Sequence, residues 1–490
     1  MQFAVVTRLV ALLLLLALVS LRAQAPPSLA QVAVSDPRFD RVVAAVQMKM
    51  KDLAVPGVAV GVVADGAVRI RSFGVTNVDH PLPVTDDTLF QIGSISKTFT
   101  GTAIMRLVEQ GRLNLDDPIR KHLPRFAVKD ADASTRATIR DMLTHMGGWE
   151  GDLFDDPSNG DDALERIVER MATLEQTAEV GQIWSYNNAG FYVAGRVIEV
   201  VTGKPFERAL KDLVLDPLGI EQAYYFPADV MTRRFVVGHG TPKDVATVLT
   251  PWPVPRTANA AGGIITNVST LLRYAAFHMG DGTSATGTRL LSASLLDQMR
   301  STVVAKAGTD ETMGLTWHLN RIGGLAVAEH SGSTIGQQAH LRLVPERRFA
   351  LALLTNSSRG GALNVHVLRE AMEAYFGVAP SRPSPITTSP AGLAEYVGTY
   401  HRQFQDLRVV IDGDALKIDV TPKMPGLDGK VPRPPPERRV GFLAKDRLIA
   451  LDGPNAGEPS GEFIRDASGR VAWLRNGGRI LRRLGPTAGD

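Results

Sequence analysis

The sequence predicts an α+β fold: an antiparallel sheet flanked by helices, a helical subdomain beside it, and a small all-β barrel at the C-terminal end. Three observations carry this. Strand patterns occur near both ends of the first 378 residues, the stretch between them is helical, and beyond a proline-rich break only short strand patterns follow. The chain has 490 residues, 44% hydrophobic and 21% charged, with 46 Gly and 30 Pro, which suits a globular protein of two or three domains.

Arg8 precedes an apolar run from Leu9 to Leu21, and small residues follow at Ala23-Gln24-Ala25 and Ser28-Leu29-Ala30. This reads as a secretory signal peptide over residues 1–25, with Ala30 as a second cleavage point, because the run is shorter than the roughly 20 residues a membrane span needs. The mature chain is therefore expected to be periplasmic or secreted, with no membrane span. Asp36 then serves as N-cap with Pro37 at the first helical position, and Phe39, Val42, Val43 and Val46 recur at helical spacing. Val58 to Val63 and Val68 to Phe73 form a hairpin around Asp65-Gly66.

Helix-compatible stretches follow at 94–110, 162–173 and 190–202. Strands return at Leu325 to Ala328, Ala339 to Val344 and Phe349 to Leu354, before a helix at about 362–376. These segments define one domain over 36–378. Residues 379–390 hold four prolines and read as a linker. Short runs from Leu407 to Ile411, Leu416 to Val420, Leu448 to Leu451 and Val471 to Leu474 then make 391–486 a separate barrel. Tyr396, Tyr400, Phe404, Phe442 and Trp473 are its expected core, and Pro432 to Pro436 its irregular loop.

Several chemistries are disfavoured. Lys plus Arg number 54 against 51 Asp plus Glu, a net charge of +3, so nothing electrostatic points to nucleic acid. No cysteine exists to form a disulfide, a thiol nucleophile or a Cys-ligated metal site. The sequence contains no G-x-S-x-G elbow, H-E-x-x-H or H-x-H, and no P-loop, so no metal or cofactor is expected.

Three short motifs carry candidate chemistry. Gly93-Ser94-Ile95-Ser96-Lys97 opens a helix, which sets Ser94 and Lys97 one turn apart on a shared face. There a hydroxyl gains the positive end of the helix dipole and an amine can take its proton. Tyr186-Asn187-Asn188 sits on a turn before a helical run from Ala189, where a buried phenol beside a lysine is expected to have a lowered pKa and to shuttle protons. Asn188 is placed to meet Lys97 and a substrate amide. Glu329-His330-Ser331-Gly332-Ser333 ends the 325–328 strand, where small residues let an extended substrate lie against the edge. The backbone N–H groups of Ser94 and Ser333 are candidate oxyanion-hole donors, and His330 a member of the proton network or a substrate anchor. Each motif alone is common; an S-x-x-K arises by chance on the order of once in such a chain.

In their order along the chain, the three resemble the penicillin-recognising serine hydrolases, and most closely the branch of class C β-lactamases, D-alanyl-D-alanine carboxypeptidases, D-aminopeptidases and related esterases. Residues 36–378 carry the resemblance. Met142-Leu143-Thr144-His145-Met146-Gly147-Gly148 is similar to the family's LLTHTSG, and Ala260-Ala261-Gly262-Gly263 to its PAGG. The resemblance implies that Ser94 is the acylated nucleophile, Lys97 its activating partner, Tyr186 the base and then acid, and Asn188, His330, Ser331, Gly332 and Ser333 substrate contacts. His330 stands where class C enzymes have the lysine of Lys-Thr-Gly. Imidazole is a weaker anchor for a penicillin carboxylate than an ammonium, so slow β-lactam turnover is expected and peptide, amide or ester substrates are favoured. The barrel resembles the lipocalin-like barrels appended to some members. The alternatives are a weak β-lactamase and, in another class, a non-catalytic protein holding cell-wall peptides. Loops around 149–160, 225–258 and 305–322 are expected to wall the site.

Overall fold

A computed structural model describes residues 30–31, 35–301, 304–305, 311–378, 384–424, 431, 433–453 and 455–485. The leader run Leu9 to Leu21 and its Ala25 cleavage point lie outside the described residues, as do residues 379–383 of the linker. Among the described residues no helix is long and apolar enough to cross a membrane.

The first helix, α1 (Pro37–Leu53), begins as its sequence dictates. The Asp36 side chain accepts from the Arg38 N–H, Pro37 occupies the first turn, and Ala54 ends the helix in left-handed geometry. The hairpin β1 (Gly57–Ala64) and β2 (Ala67–Gly74) turns on Asp65-Gly66, both at positive φ. Strand β1 is buried on both faces and its alternation sorts two cores. Val58, Val60 and Val62 pack with Phe39, Val42 and Val46 of α1, and Ala59 and Val63 join the larger core under the helical subdomain.

That subdomain includes α2 (Ser96–Glu109), α3 (Ala163–Arg170) and α4 (Ala189–Thr202), while α5 (Val268–His278) lies against the sheet, packing on β1. Strands β3 (His318–Ile322), β4 (Leu325–Thr334), β5 (Gln337–Val344) and β6 (Phe349–Thr355) return the chain to the sheet, and α6 (Gly360–Phe376) covers it beside α1. The nine-stranded sheet runs Ala30–Gln31, β2, β1, β6, β5, β4, β3, Thr312–Met313, Val304–Ala305, antiparallel except at its first pair. The terminal hairpins therefore meet at the sheet centre, where β1 pairs with β6.

Eight antiparallel strands then close a barrel: β7 (Gly398–Arg402), β8 (Gln405–Asp412), β9 (Ala415–Pro422), β10 (Arg438–Ala444), β11 (Arg447–Ala450), β12 (Pro459–Arg465), β13 (Val471–Asn476) and β14 (Arg479–Arg483), with β14 returning to β7. Tyr396, Tyr400 and Phe442 fill it with Leu407, Phe463 and Leu481.

Two expectations need correction. Phe404 and Trp473 are not in the barrel core: Phe404 joins the larger core of the first domain, and Trp473 packs in the seam between domains and donates its indole N–H to the Thr177 carbonyl (3.1 Å). Phe404 lies in the turn between β7 and β8 and Trp473 within β13, and both turn their apolar surface toward the neighbouring domain. The strand at 325–328 also does not end before His330. It continues to Thr334, because β5 pairs with it through Gln337.

Candidate active site

Ser94 lies in a single 3₁₀ turn, Gly93–Ile95, that feeds into α2, so the helix starts two residues after the predicted nucleophile. Lys97 follows in the first turn of α2 and is fully buried. Its Nζ donates to Ser94 Oγ at 3.0 Å and to the Ala261 carbonyl at 2.7 Å. The Ala260 to Gly263 stretch is locked to the same helix, since Thr100 donates to the Ala260 carbonyl (2.7 Å) and Ser96 Oγ accepts from the Ile264 N–H (3.1 Å). The rings of Tyr186 and Phe191 lie 5.0 and 5.4 Å from the ammonium. Burial, aided by the positive charge of Arg479 and opposed by Asp152, holds the lysine well below its ordinary pKa.

Tyr186 comes from the extended segment before α4, with its hydroxyl against Ser94. Its turn is pinned by neighbours. Asn187 donates its backbone N–H to His145 Nδ1 (2.9 Å) and its amide to the Trp149 carbonyl (2.9 Å), and the His145 ring stacks on Tyr186 at 4.4 Å. Burial pushes the Tyr186 phenol up to about 12, beyond what the Ser94 hydrogen bond and Arg479 offset. The lowered phenol pKa expected from sequence is thus reversed, because desolvation penalises phenolate more than the nearby cations favour it. Burial also holds His145 well below the usual imidazole range, with Lys97 and His330 adding to the effect, so His145 is neutral and accepts at Nδ1.

Strand β4 supplies the opposite wall. Strand β3 pairs only with Leu325 to Glu329, so the β4 edge beyond it has no strand partner there among the described residues. His330 is buried, its Nδ1 2.6 Å from the Ser331 carbonyl and its ring edge-on to His318. Ser331 and Ser333 are exposed, and Ser333 Oγ accepts from Gln338. Gly332 and Gly93 allow two backbones to touch: a Cβ on Gly332 would overlap the Ile92 carbonyl and stand 3.0 Å from the Ser94 nitrogen, and one on Gly93 would stand 2.6 Å from the Ser333 nitrogen. The N–H groups of Ser94 and Ser333 are thereby brought beside each other.

Asn188 lines the same cleft, but its amide donates to Asp152 Oδ1 (2.9 Å) instead of meeting Lys97. Asp152 was not visible as a site residue in the sequence. It accepts from Arg402 (2.8 Å) and from two nitrogens of Arg479 (both 3.1 Å), and both arginines belong to the barrel. Burial alone would raise the carboxyl, yet the two guanidinium groups hold it well below the usual carboxylate range. Arg479 stands 4.7 Å over the Tyr186 ring, and the Tyr186 N–H donates to the Gly478 carbonyl (2.8 Å). Gly477 and Gly478, both at positive φ, make the two-residue turn between β13 and β14 that reaches the cleft. The only local signal for this was the Asn-Gly-Gly turn; nothing in the sequence indicated that it lies beside Tyr186. The cleft is about 570 Å³, with Ser94, Tyr186 and His330 on one side and Arg447, Ser460 and Gly478 of the barrel on the other. Among the described residues no group of three or more His, Asp or Glu is disposed to hold a metal ion.

The arrangement offers a hydroxyl next to a depressed lysine, a protonated phenol and paired backbone donors, the parts needed for acyl transfer. The profile of the family described as Beta-lactamase matches residues 42–375. Penicillin-binding protein 4 of Amycolatopsis lactamdurans is 34% identical over 365 residues, 71% of this chain and 94% of that one. Unguisins hydrolase of Aspergillus violaceofuscus is 23% identical over 75% of this chain and 76% of its own. The crystal structure of SurE with D-Leu superposes with a TM-score of 0.73 at 28% identity, over 91% of this chain and all (100%) of that one, so the likeness extends into the barrel. A class C β-lactamase shares the fold of the catalytic part, with a TM-score of 0.60 at 22% identity over 71% of this chain and 99% of its own. The chain belongs to the β-lactamase family and is a serine hydrolase of that family.

Proposed function

We propose that the protein hydrolyses or transfers acyl groups of peptide, amide or ester substrates through a covalent intermediate on Ser94. The observation that carries this is the environment of Lys97: a buried amine 3.0 Å from a serine hydroxyl, with its pKa depressed. Once neutral, the amine offers its lone pair along the same contact and takes the Ser94 proton as Oγ attacks the carbonyl carbon. The oxyanion formed is met by the Ser94 and Ser333 N–H groups. Tyr186, protonated with a pKa of about 12, acts as donor to the leaving group and regains its proton from Lys97. Deacylation runs the relay in reverse, with water or an amine as acceptor.

Substrates derived from amino acids are favoured. The open β4 edge offers backbone pairing to an extended chain, one relative is named a hydrolase, and the SurE structure holds D-Leu. His330 in place of a lysine argues for slow penicillin turnover. Export remains a proposal resting on the leader residues alone. The test is intact-mass spectrometry with a fluorescent penicillin and with p-nitrophenyl butyrate, on wild type and Ser94→Ala. An adduct or ester turnover that vanishes in Ser94→Ala, a loss of roughly 10⁴-fold or more, is the expected result. Turnover that survives in Ser94→Ala overturns the assignment.

A further inference from the structure

A second cleft, about 870 Å³ and so larger than the catalytic one, opens along the seam between the catalytic domain and the barrel. Pro251, Pro253 and Val254 form one wall, and Phe404, Val420 and Met424 the other. Asp152 lines it, and Phe154 lines both this cleft and the catalytic one, so the two adjoin at that ring. Phe154 is 50% exposed, although Gly151 and Leu153 on the same loop are buried. A large aromatic ring held half in water at the junction of two clefts is what a ligand surface looks like before it is covered. Phe404 packs into the core of the catalytic domain, which fixes the barrel wall relative to the other.

The nearby charges are largely spoken for. Arg402 is paired with Glu150 and Asp152, Arg256 with Glu207 and Asp161, and Asp155 with Arg170. Asp156 and Arg433, one of each sign, also line the cleft, and between these charges the proline, valine, phenylalanine and methionine walls present apolar surface suited to uncharged apolar side chains. Each cleft falls within the roughly 300–1,000 Å³ typical of a ligand site, so a single small acyl group leaves the second one empty.

We propose that this groove is an extended subsite for a peptide substrate, binding its apolar side chains several residues away from the carbonyl that reacts at Ser94. The inference rests on the acyl-transfer reading of the Ser94 site. Binding energy gathered at a distance can position the reacting carbonyl, so substrate length should matter even though the chemistry is at one end.

The test compares p-nitrophenyl esters of N-acetylalanine and of N-acetyl-leucyl-phenylalanyl-leucyl-alanine, each made with D- and with L-alanine. With the preferred enantiomer, the longer ester is expected to have a kcat/KM at least about ten-fold higher, mainly through KM. Pro253→Asp and Met424→Glu, one on each wall, should abolish that gain while leaving turnover of acetylalanine ester unchanged. In parallel, fluorescence anisotropy of the fluorescein-labelled tetrapeptide on Ser94→Ala reads binding without chemistry, and both wall substitutions should weaken it. Equal kcat/KM for the two lengths, together with peptide binding that neither wall substitution alters, overturns the groove. If no ester is turned over and Ser94 takes no adduct, the acyl-transfer reading fails, and the anisotropy series still decides whether the groove binds apolar peptide.

Discussion

The first turn of α2 and the loop carrying Asp152 each place a charge-bearing group beside the catalytic cleft, on either side of Tyr186 and Asn188, and they treat it in opposite ways. Lys97 meets a hydroxyl, a carbonyl and two aromatic rings, so burial lowers its pKa and the neutral amine becomes accessible. Asp152 meets two guanidinium groups and an amide, so its carboxylate survives desolvation. The difference separates a reactive group from a clasp. Withholding a counter-charge yields a base, and supplying two yields a fixed anchor that ties the barrel to the catalytic domain.

Replacing the amine tests the first half most severely. Lys97→Met is expected to lower kcat by roughly 10³-fold while raising the melting temperature, because an isosteric apolar side chain replaces an uncompensated one. The pH dependence carries a definite sign. A lysine with a lowered folded pKa binds its proton more readily when unfolded, so wild-type stability rises with pH between that lowered pKa and 10.5 and declines on acidification. Melts of the two proteins across that window should show the slope in wild type and a shallower one in Lys97→Met. A variant less stable than wild type, with the slope retained, breaks the comparison.

Gly332→Ala comes next. Its Cβ would overlap the Ile92 carbonyl, part β4 from Ser94, and cost roughly 10²-fold or more in kcat as the paired donors separate. Because Asp152 is untouched, the barrel should stay docked, which limited proteolysis of the seam can check. For the clasp itself, Asp152→Asn is expected to cost about 2–4 kcal/mol in urea denaturation, since two arginines lose their counter-charge. Wild-type stability from Asp152 is present above its unfolded pKa of about 3.8 and is lost as pH falls toward the depressed folded value; the asparagine variant lacks that component.

The smallest effect links the two regions. Arg479 lowers the pKa of both Lys97 and Tyr186, so Arg479→Met should move the acid limb of the kcat/KM profile to higher pH, with about a ten-fold loss at neutral pH. Arg479→Lys, which keeps the charge, should restore the limb. An unmoved limb in Arg479→Met would mean that the clasp and the base are electrically independent.

Much of the site was legible because its parts are local. Ser94 and Lys97 are three residues apart at a helix start, and Tyr186 and Asn188 sit on the turn before α4, so spacing alone put each pair on one element. His330 to Ser333 were expected at a strand edge from their small residues, but how far that edge stays open depends on where β3 stops pairing. His145 lay within a stretch noticed in the sequence, yet its stacking on Tyr186 required α4 to be docked. Asp152 was hidden among ordinary loop carboxylates, and Phe404 and Trp473 looked like barrel core because hydrophobicity does not say which of two cores a side chain joins.

By itself, then, the amino-acid order determined the elements and the chemistry each can carry: the hairpins, the helix that presents Ser94 and Lys97, the phenol on its turn, and a β-rich C-terminal unit. These follow from periodicity, capping and turn geometry, which act over a few residues. Only the tertiary structure decided the protonation of Lys97 and Tyr186 and the make-up of the far wall of the cleft. Desolvation depends on everything packed around a group, and the arginines that answer Asp152 come from 250 and 327 residues away.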